Sequence, residues 1–129
     1  FMLKKKWGRV VTITSIYGKE SGGRPWFTMA KSAEVAIMKS LSIDKSLVRN
    51  GITFNTVAPG GIFIPGAGFE DEMKKNPQGF NSMIDKEYPL GRMGTTQEVA
   101  DLVAFICSDL SSLINGAQIV IDGGQTKSF

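Results

Sequence analysis

Short apolar runs and longer amphipathic stretches alternate along this chain. Residues 10–14, Val-Val-Thr-Ile-Thr, are β-branched and uninterrupted, which predicts a strand covered on both faces, as in a parallel sheet. Residues 1–7 read as the end of a helix feeding directly into it. Ser21-Gly22-Gly23-Arg24-Pro25 has the composition of a loop. A long helix is predicted after it, over residues 27 to about 47. Its apolar positions Ala30, Ala33, Ile37 and Leu41 recur at three- and four-residue spacing, the mark of one buried face. Asn50-Gly51 stops this helix as a C-terminal cap would. Residues 52–57 predict the next strand, and Pro59-Gly60-Gly61 ends it. Strand, helix and strand in this order imply a right-handed parallel crossover.

Residues 61–91 mix glycine, proline and charge with scattered aromatics, which predicts one or two short helices in a mobile flap. Thr95-Thr96-Gln97-Glu98 has the pattern of a capping box, with Thr95 as N-cap and Glu98 three residues on. Val99, Leu102, Val103 and Ile106 would form the buried face of that helix. A last strand at residues 118–121 is closed by Asp122-Gly123-Gly124. No internal repeat interrupts the alternation, so the class is α/β.

Composition removes several kinds of chemistry. The chain has 129 residues, 42% hydrophobic and 21% charged, with a net charge of +3. That is the composition of one globular domain. The basic surplus lies mainly in Lys4, Lys5 and Lys6 and is not interleaved with aromatics, so no nucleic-acid partner is expected. There is no histidine, which excludes Ser-His-Asp catalysis and most zinc sites, and no metal is expected. The one cysteine, Cys107, cannot form an internal disulfide and sits in an apolar run as a small core residue. No apolar stretch reaches membrane-spanning length, and the expected address is cytoplasmic.

Several ordered landmarks carry a family resemblance. They are Gly8-Arg9-Val10-Val11 followed by Ile13-Thr14-Ser15; Ala30-Lys31-Ser32-Ala33; Asn55-Thr56-Val57-Ala58-Pro59-Gly60; Pro89-Leu90-Gly91-Arg92-Met93-Gly94; Glu98-Val99-Ala100; and Asn115-Gly116 through Asp122-Gly123-Gly124. Each is weak alone, but their order and spacing are specific. Along nearly its whole length the chain resembles the short-chain dehydrogenase/reductase family, and within it the 3-oxoacyl-carrier-protein reductases. The resemblance implies the C-terminal half of a doubly wound, Rossmann-like parallel sheet, with the N-terminal half absent. Residues 1–129 would then be a partial domain holding the catalytic and substrate-flap half. The Gly-rich phosphate turn of the family has no counterpart here. Gly60-Gly61 and Gly66-x-Gly68 follow the later strand at the wrong spacing. The chain is therefore expected to be a truncated product, inactive alone and without tight dinucleotide binding.

What the resemblance implies for the parent protein is hydride transfer between NAD(H) or NADP(H) and a small-molecule carbonyl or alcohol substrate. Ser15 would polarise the substrate oxygen, and Lys31 would hold the nicotinamide ribose. Pro59, Gly60, Gly61 and Ile62 would present main chain to the nicotinamide. Two departures stand out. Phe27 occupies the position four residues before Lys31 where the family has its catalytic Tyr, and a phenyl ring transfers no proton. Ile64 replaces a Thr that contacts the cofactor. Tyr17, two residues past Ser15, is a candidate substitute acid, and Thr14 is a further spare hydroxyl. Trp26, Phe63, Phe69 and Met73 would line an apolar substrate site, or pack in the core. A homo-oligomer is expected, because the sheet leaves an unpaired edge and the Ala30, Ala33, Ile37 face invites a partner. The rival function is a catalytically silent relative that keeps the fold for binding or assembly.

Overall fold

The computed structural model describes residues 1–128. A short helix α1 (Met2–Lys5) ends in a left-handed Lys6 and turns into β1 (Gly8–Ile13). α2 (Pro25–Ser42) and α3 (Lys45–Val48) lead to β2 (Ile52–Pro59). β3 (Ile62–Phe63), α4 (Gly68–Lys75), α5 (Pro77–Glu87) and β4 (Gly94–Thr95) span the segment where one or two short helices are predicted. α6 (Thr96–Ile106) and β5 (Gln118–Ile121) close the chain. The sheet order is β1-β2-β5, all parallel, while β3 and β4 form a separate parallel pair. This is the α/β, parallel-sheet class that the alternation predicts.

The central strand is β2, buried from Ile52 to Ala58 because β1 and β5 flank it and helices cover it. β1 is less covered than its composition predicts. Val10 to Thr12 are only half-buried and Ile13 is exposed, since among the described residues no strand pairs with its other edge. The core gathers Met38, Ile52 and Phe54 with Val10, Leu41, Leu47 and Val48. Ile106 and Val57 are fully buried.

Two expectations for the long helix need correction. It is not one helix to residue 47: α2 ends at Ser42, and Asp44 starts α3 by accepting a hydrogen bond from the Ser46 N–H at 2.8 Å. Gly51, with φ of 72°, follows α3 and not the long helix. The buried face is also a different one. Ala30, Ala33 and Ile37 are exposed, Ile37 to 59%. Phe27, Lys31, Glu34, Val35, Met38, Leu41 and Ser42 turn inward instead. The two stripes have the same spacing, so periodicity alone could not choose between them. Cys107, at the C-cap of α6, is half-buried rather than in the core.

The capping box of α6 forms as predicted. The Thr95 hydroxyl accepts from the Glu98 N–H at 3.2 Å, and the Glu98 carboxylate accepts from the Thr95 N–H at 2.8 Å. Arg92 then reaches Glu98 at 2.7 Å and draws the carboxyl down to about 2, with the Thr95 N–H and hydroxyl adding to the effect.

Candidate active site

Parallel register brings three loops to one edge of the sheet. Ile13 pairs with Val57, and the Thr14 N–H donates to the Val57 carbonyl at 2.7 Å, so Ser15 leaves the sheet at the same edge as Pro59. Pro59 pairs with Ile121, which puts Asp122-Gly123-Gly124 there too. This is the C-terminal edge of the strands, where open α/β sheets build ligand crevices.

Ser15 is the buried N-cap of a single 3-10 turn, Ile16–Gly18. Its Oγ accepts from the Tyr17 N–H at 3.2 Å, and its O–H proton is used in none of the described hydrogen bonds. Thr14 is committed elsewhere, since its hydroxyl donates to the Val57 carbonyl at 3.2 Å. Tyr17 packs its ring against Gly22 and Gly23. It lines a cleft of about 340 Å³ with Glu20, Lys86 and Gln125.

Phe27 and Lys31 share one face of α2. The Lys31 ammonium lies 5.9 Å from the centre of the Phe27 ring. It donates to the Ile13 carbonyl at 3.2 Å, which anchors it beside the strand end that leads to Ser15. Its other partner is Glu34, one turn on, at 2.9 Å. The Lys31 side chain is 20% exposed. Phe27 is half-buried and meets Trp26 edge to face at 6.1 Å.

The turn after β2 is tightly held. The Gly60 N–H donates to the Ile121 carbonyl at 3.0 Å, and the Gly61 N–H to the Gln125 side-chain oxygen at 2.7 Å. Ile62 enters β3 opposite Gly94. Ile64 points to solvent, 47% exposed. Gly60-Gly61 thus runs into a strand and not into a helix N-terminus. Asp122 supports the same corner. Burial raises its carboxyl, but the N–H groups of Thr126 (2.7 Å) and Gly124 (2.9 Å) outweigh this and hold it below the usual range.

The apolar cleft is only partly the one expected. A space of about 590 Å³ brings Phe63 and Met73 together with Phe80, Ile84 and Met93. Phe69 is not among its lining residues, and Trp26 is exposed on α2.

Comparison with known proteins supplies the family. A family model described as enoyl-(acyl carrier protein) reductase matches residues 1–126. The chain belongs to the short-chain dehydrogenase/reductase family. It is 35% identical over 125 residues to the 3-oxoacyl-[acyl-carrier-protein] reductase FabG of Aquifex aeolicus, covering 95% of this chain and 47% of that one. A short-chain dehydrogenase/reductase oxidoreductase of Burkholderia thailandensis superposes with a TM-score of 0.86 at 30% identity, over 98% of this chain and 47% of that one. A 3-oxoacyl (acyl-carrier-protein) reductase of Agrobacterium tumefaciens, solved with NADP bound, gives 0.86 at 27% identity, over 95% and 46%. The chain therefore spans about half the length of the relatives it matches. No helix among the described residues is long and apolar enough to cross a membrane.

Four residues at this corner carried no sequence assignment. Glu34 could have been noticed from its three-residue spacing to Lys31. Tyr88 lies in the flap before Pro89, and Gln125 and Thr126 follow the last glycine pair. Only the folded chain brings those three to the turn.

Proposed function

We propose that this chain forms the catalytic and substrate-flap half of an oxidoreductase that moves a hydride between NAD(H) or NADP(H) and a carbonyl or alcohol substrate. The observation that carries the reading is the convergence at one sheet edge of Ser15, the Lys31 ammonium and the Pro59-Gly60-Gly61 turn. Reduction of a carbonyl needs a hydride, which a bound nicotinamide supplies, and a proton at the oxygen, which the protein supplies. Ser15, with its O–H proton uncommitted, polarises the substrate oxygen. Lys31 holds the ribose once a ribose hydroxyl competes with Glu34 for its N–H groups. The main chain of Pro59, Gly60, Gly61 and Ile62 walls the nicotinamide, a role indifferent to side chains, and Ile64 adds no hydroxyl contact. The Phe63, Phe80 and Met93 cleft suits a substrate with an apolar body.

Phe27 leaves the proton to another group. Tyr17 is the phenol nearest Ser15 along the chain, and its N–H already bonds the Ser15 oxygen. In the complete protein, Phe27→Tyr should raise carbonyl reduction by about 10²–10⁴-fold, the usual worth of a positioned general acid. Tyr17→Phe should cripple the natural enzyme and Ser15→Ala any active version, followed by cofactor absorbance across a panel of carbonyl compounds. Cofactor binding with no turnover in either the natural protein or Phe27→Tyr would replace this reading with the catalytically silent one, which the Phe27 ring and the Lys31–Glu34 pair favour. A cytoplasmic homo-oligomer belongs to the same proposal. The exposed Ala30, Ala33 and Ile37 stripe supports self-association, and a monodisperse monomer in sedimentation would contradict it.

A further inference from the structure

Nothing in the reaction outlined above uses the most crowded contact at the site. A side chain on Gly61 would run into the Tyr88 hydroxyl and come within 2.7 Å of the Tyr88 ring. One on Gly60 would meet Gln125 and, at 2.6 Å, the Asp122 Cβ. Tyr88 is 5% exposed. It is seated by its own backbone, whose N–H donates to the Ile84 carbonyl at 3.0 Å and whose carbonyl accepts from the Gly91 N–H at 2.8 Å. Gln125 takes the Gly61 N–H at 2.7 Å on one side of the turn, while the Tyr88 hydroxyl packs over Gly61 on the other. The Gln125 N–H donates to the Asp122 carbonyl at 3.2 Å. The Gly61 carbonyl is occupied as well, by the Gly94 N–H at 3.0 Å. The turn is thus gripped from the end of α5 on one side and from the residues after β5 on the other.

We infer that Tyr88 and Gln125 act as one clamp that fixes the Gly60-Gly61 turn at the height the nicotinamide requires, which makes both of them positioning residues. The inference rests on the proposed oxidoreductase reading. A turn of two glycines has wide conformational freedom, and loss of this part-buried acceptor leaves the Gly61 N–H without its partner. Because Tyr88 sits at the end of the flap helix, the clamp also ties substrate flap to cofactor turn. Neither residue contacts the reacting atoms in this account. Their effect is on where the cofactor lies.

The test uses the complete protein and three variants. Gln125→Leu removes the acceptor, Gln125→Glu keeps an acceptor of the same length, and Tyr88→Phe removes only the hydroxyl. Gln125→Leu should raise the cofactor KM and Kd about tenfold, the scale of one lost hydrogen bond. Its kcat should fall as well, while cooperative thermal unfolding is kept. Gln125→Glu should recover most of that loss, and Tyr88→Phe should fall between. The clamp is refuted if Gln125→Leu only lowers the melting temperature and leaves cofactor affinity and turnover as they were, or if Gln125→Glu is as impaired as Gln125→Leu. Should Gln125→Leu fail to fold, unchanged cofactor Kd and turnover in Tyr88→Phe would refute it. Natural protein that binds no nicotinamide cofactor overturns the oxidoreductase reading itself, and the clamp's cofactor role goes with it.

Discussion

Replacing Asn55 with alanine should cost more than any surface change in this chain. The residue is fully buried in the middle of β2. Its Nδ2 donates to the Ile114 carbonyl at 2.8 Å and its Oδ1 accepts from the Ala117 N–H at 3.1 Å. Alanine removes both bonds and leaves a small void. Two hydrogen bonds at roughly 1 kcal/mol each, plus the lost packing, put the destabilisation at about 2–4 kcal/mol. For a chain of this size each kcal/mol moves the melting temperature by about 3–4 °C, so a fall of about 6–16 °C is expected. Thermal unfolding by circular dichroism measures it. Asn55→Asp sharpens the test, because it keeps the acceptor for Ala117 but aims a carboxylate at the Ile114 carbonyl. The folded-state pKa of that Asp should rise above the ordinary value of about 3.9. Its deficit should therefore be smallest below that pH and grow as pH rises through the shifted value. A drop of less than about 2 °C for Asn55→Ala, or a pH-independent Asn55→Asp, would show that water replaces these bonds and that the clip contributes little.

Two further expectations concern stability alone. Ile106 is fully buried at the end of α6, so Ile106→Ala should cost about 2–5 kcal/mol in equilibrium denaturation, and a loss below about 1 kcal/mol would contradict the packing. Glu98 has its carboxyl lowered to about 2 by Arg92 and the Thr95 cap, so its contribution is full above its ordinary value of 4.5 and disappears as pH falls toward 2. Glu98→Gln should flatten the fall of the urea midpoint across that window, and an unchanged profile would remove the capping box from the account.

Much of the fold was legible because its signals are local. β-branched runs marked β1, β2 and β5, and the Thr95–Glu98 spacing marked the start of α6. What failed depended on distant partners. α2 stops at Ser42, whose carbonyl accepts from Asn115 Nδ2, 73 residues away, at 2.8 Å. No helical period could announce that contact. The inward face of α2 was likewise undecided, because the sheet chose between two stripes of equal spacing. At the candidate site, Ser15, Lys31 and the Pro59-Gly60 turn were found through ordered motifs, and Phe27 through its departure from one. Tyr88 and Gln125 escaped, since each reaches Gly61 only through the register of separate loops.

The place of β2 between two strands has a consequence for synthesis. β1, α2 and β2 can dock as soon as they leave the ribosome, but the partners of the Asn55 side chain lie 59 and 62 residues further on. At about 5–20 residues per second, that interval lasts about 3–12 s. Throughout it, the flank of β2 that will receive β5 is an open hydrogen-bonding edge lined by an unpaired amide, ready to take any extended segment that arrives first. A nascent chain that pauses between residues 59 and 114 would hold that edge open for longer, which makes this interval a stage of aggregation hazard.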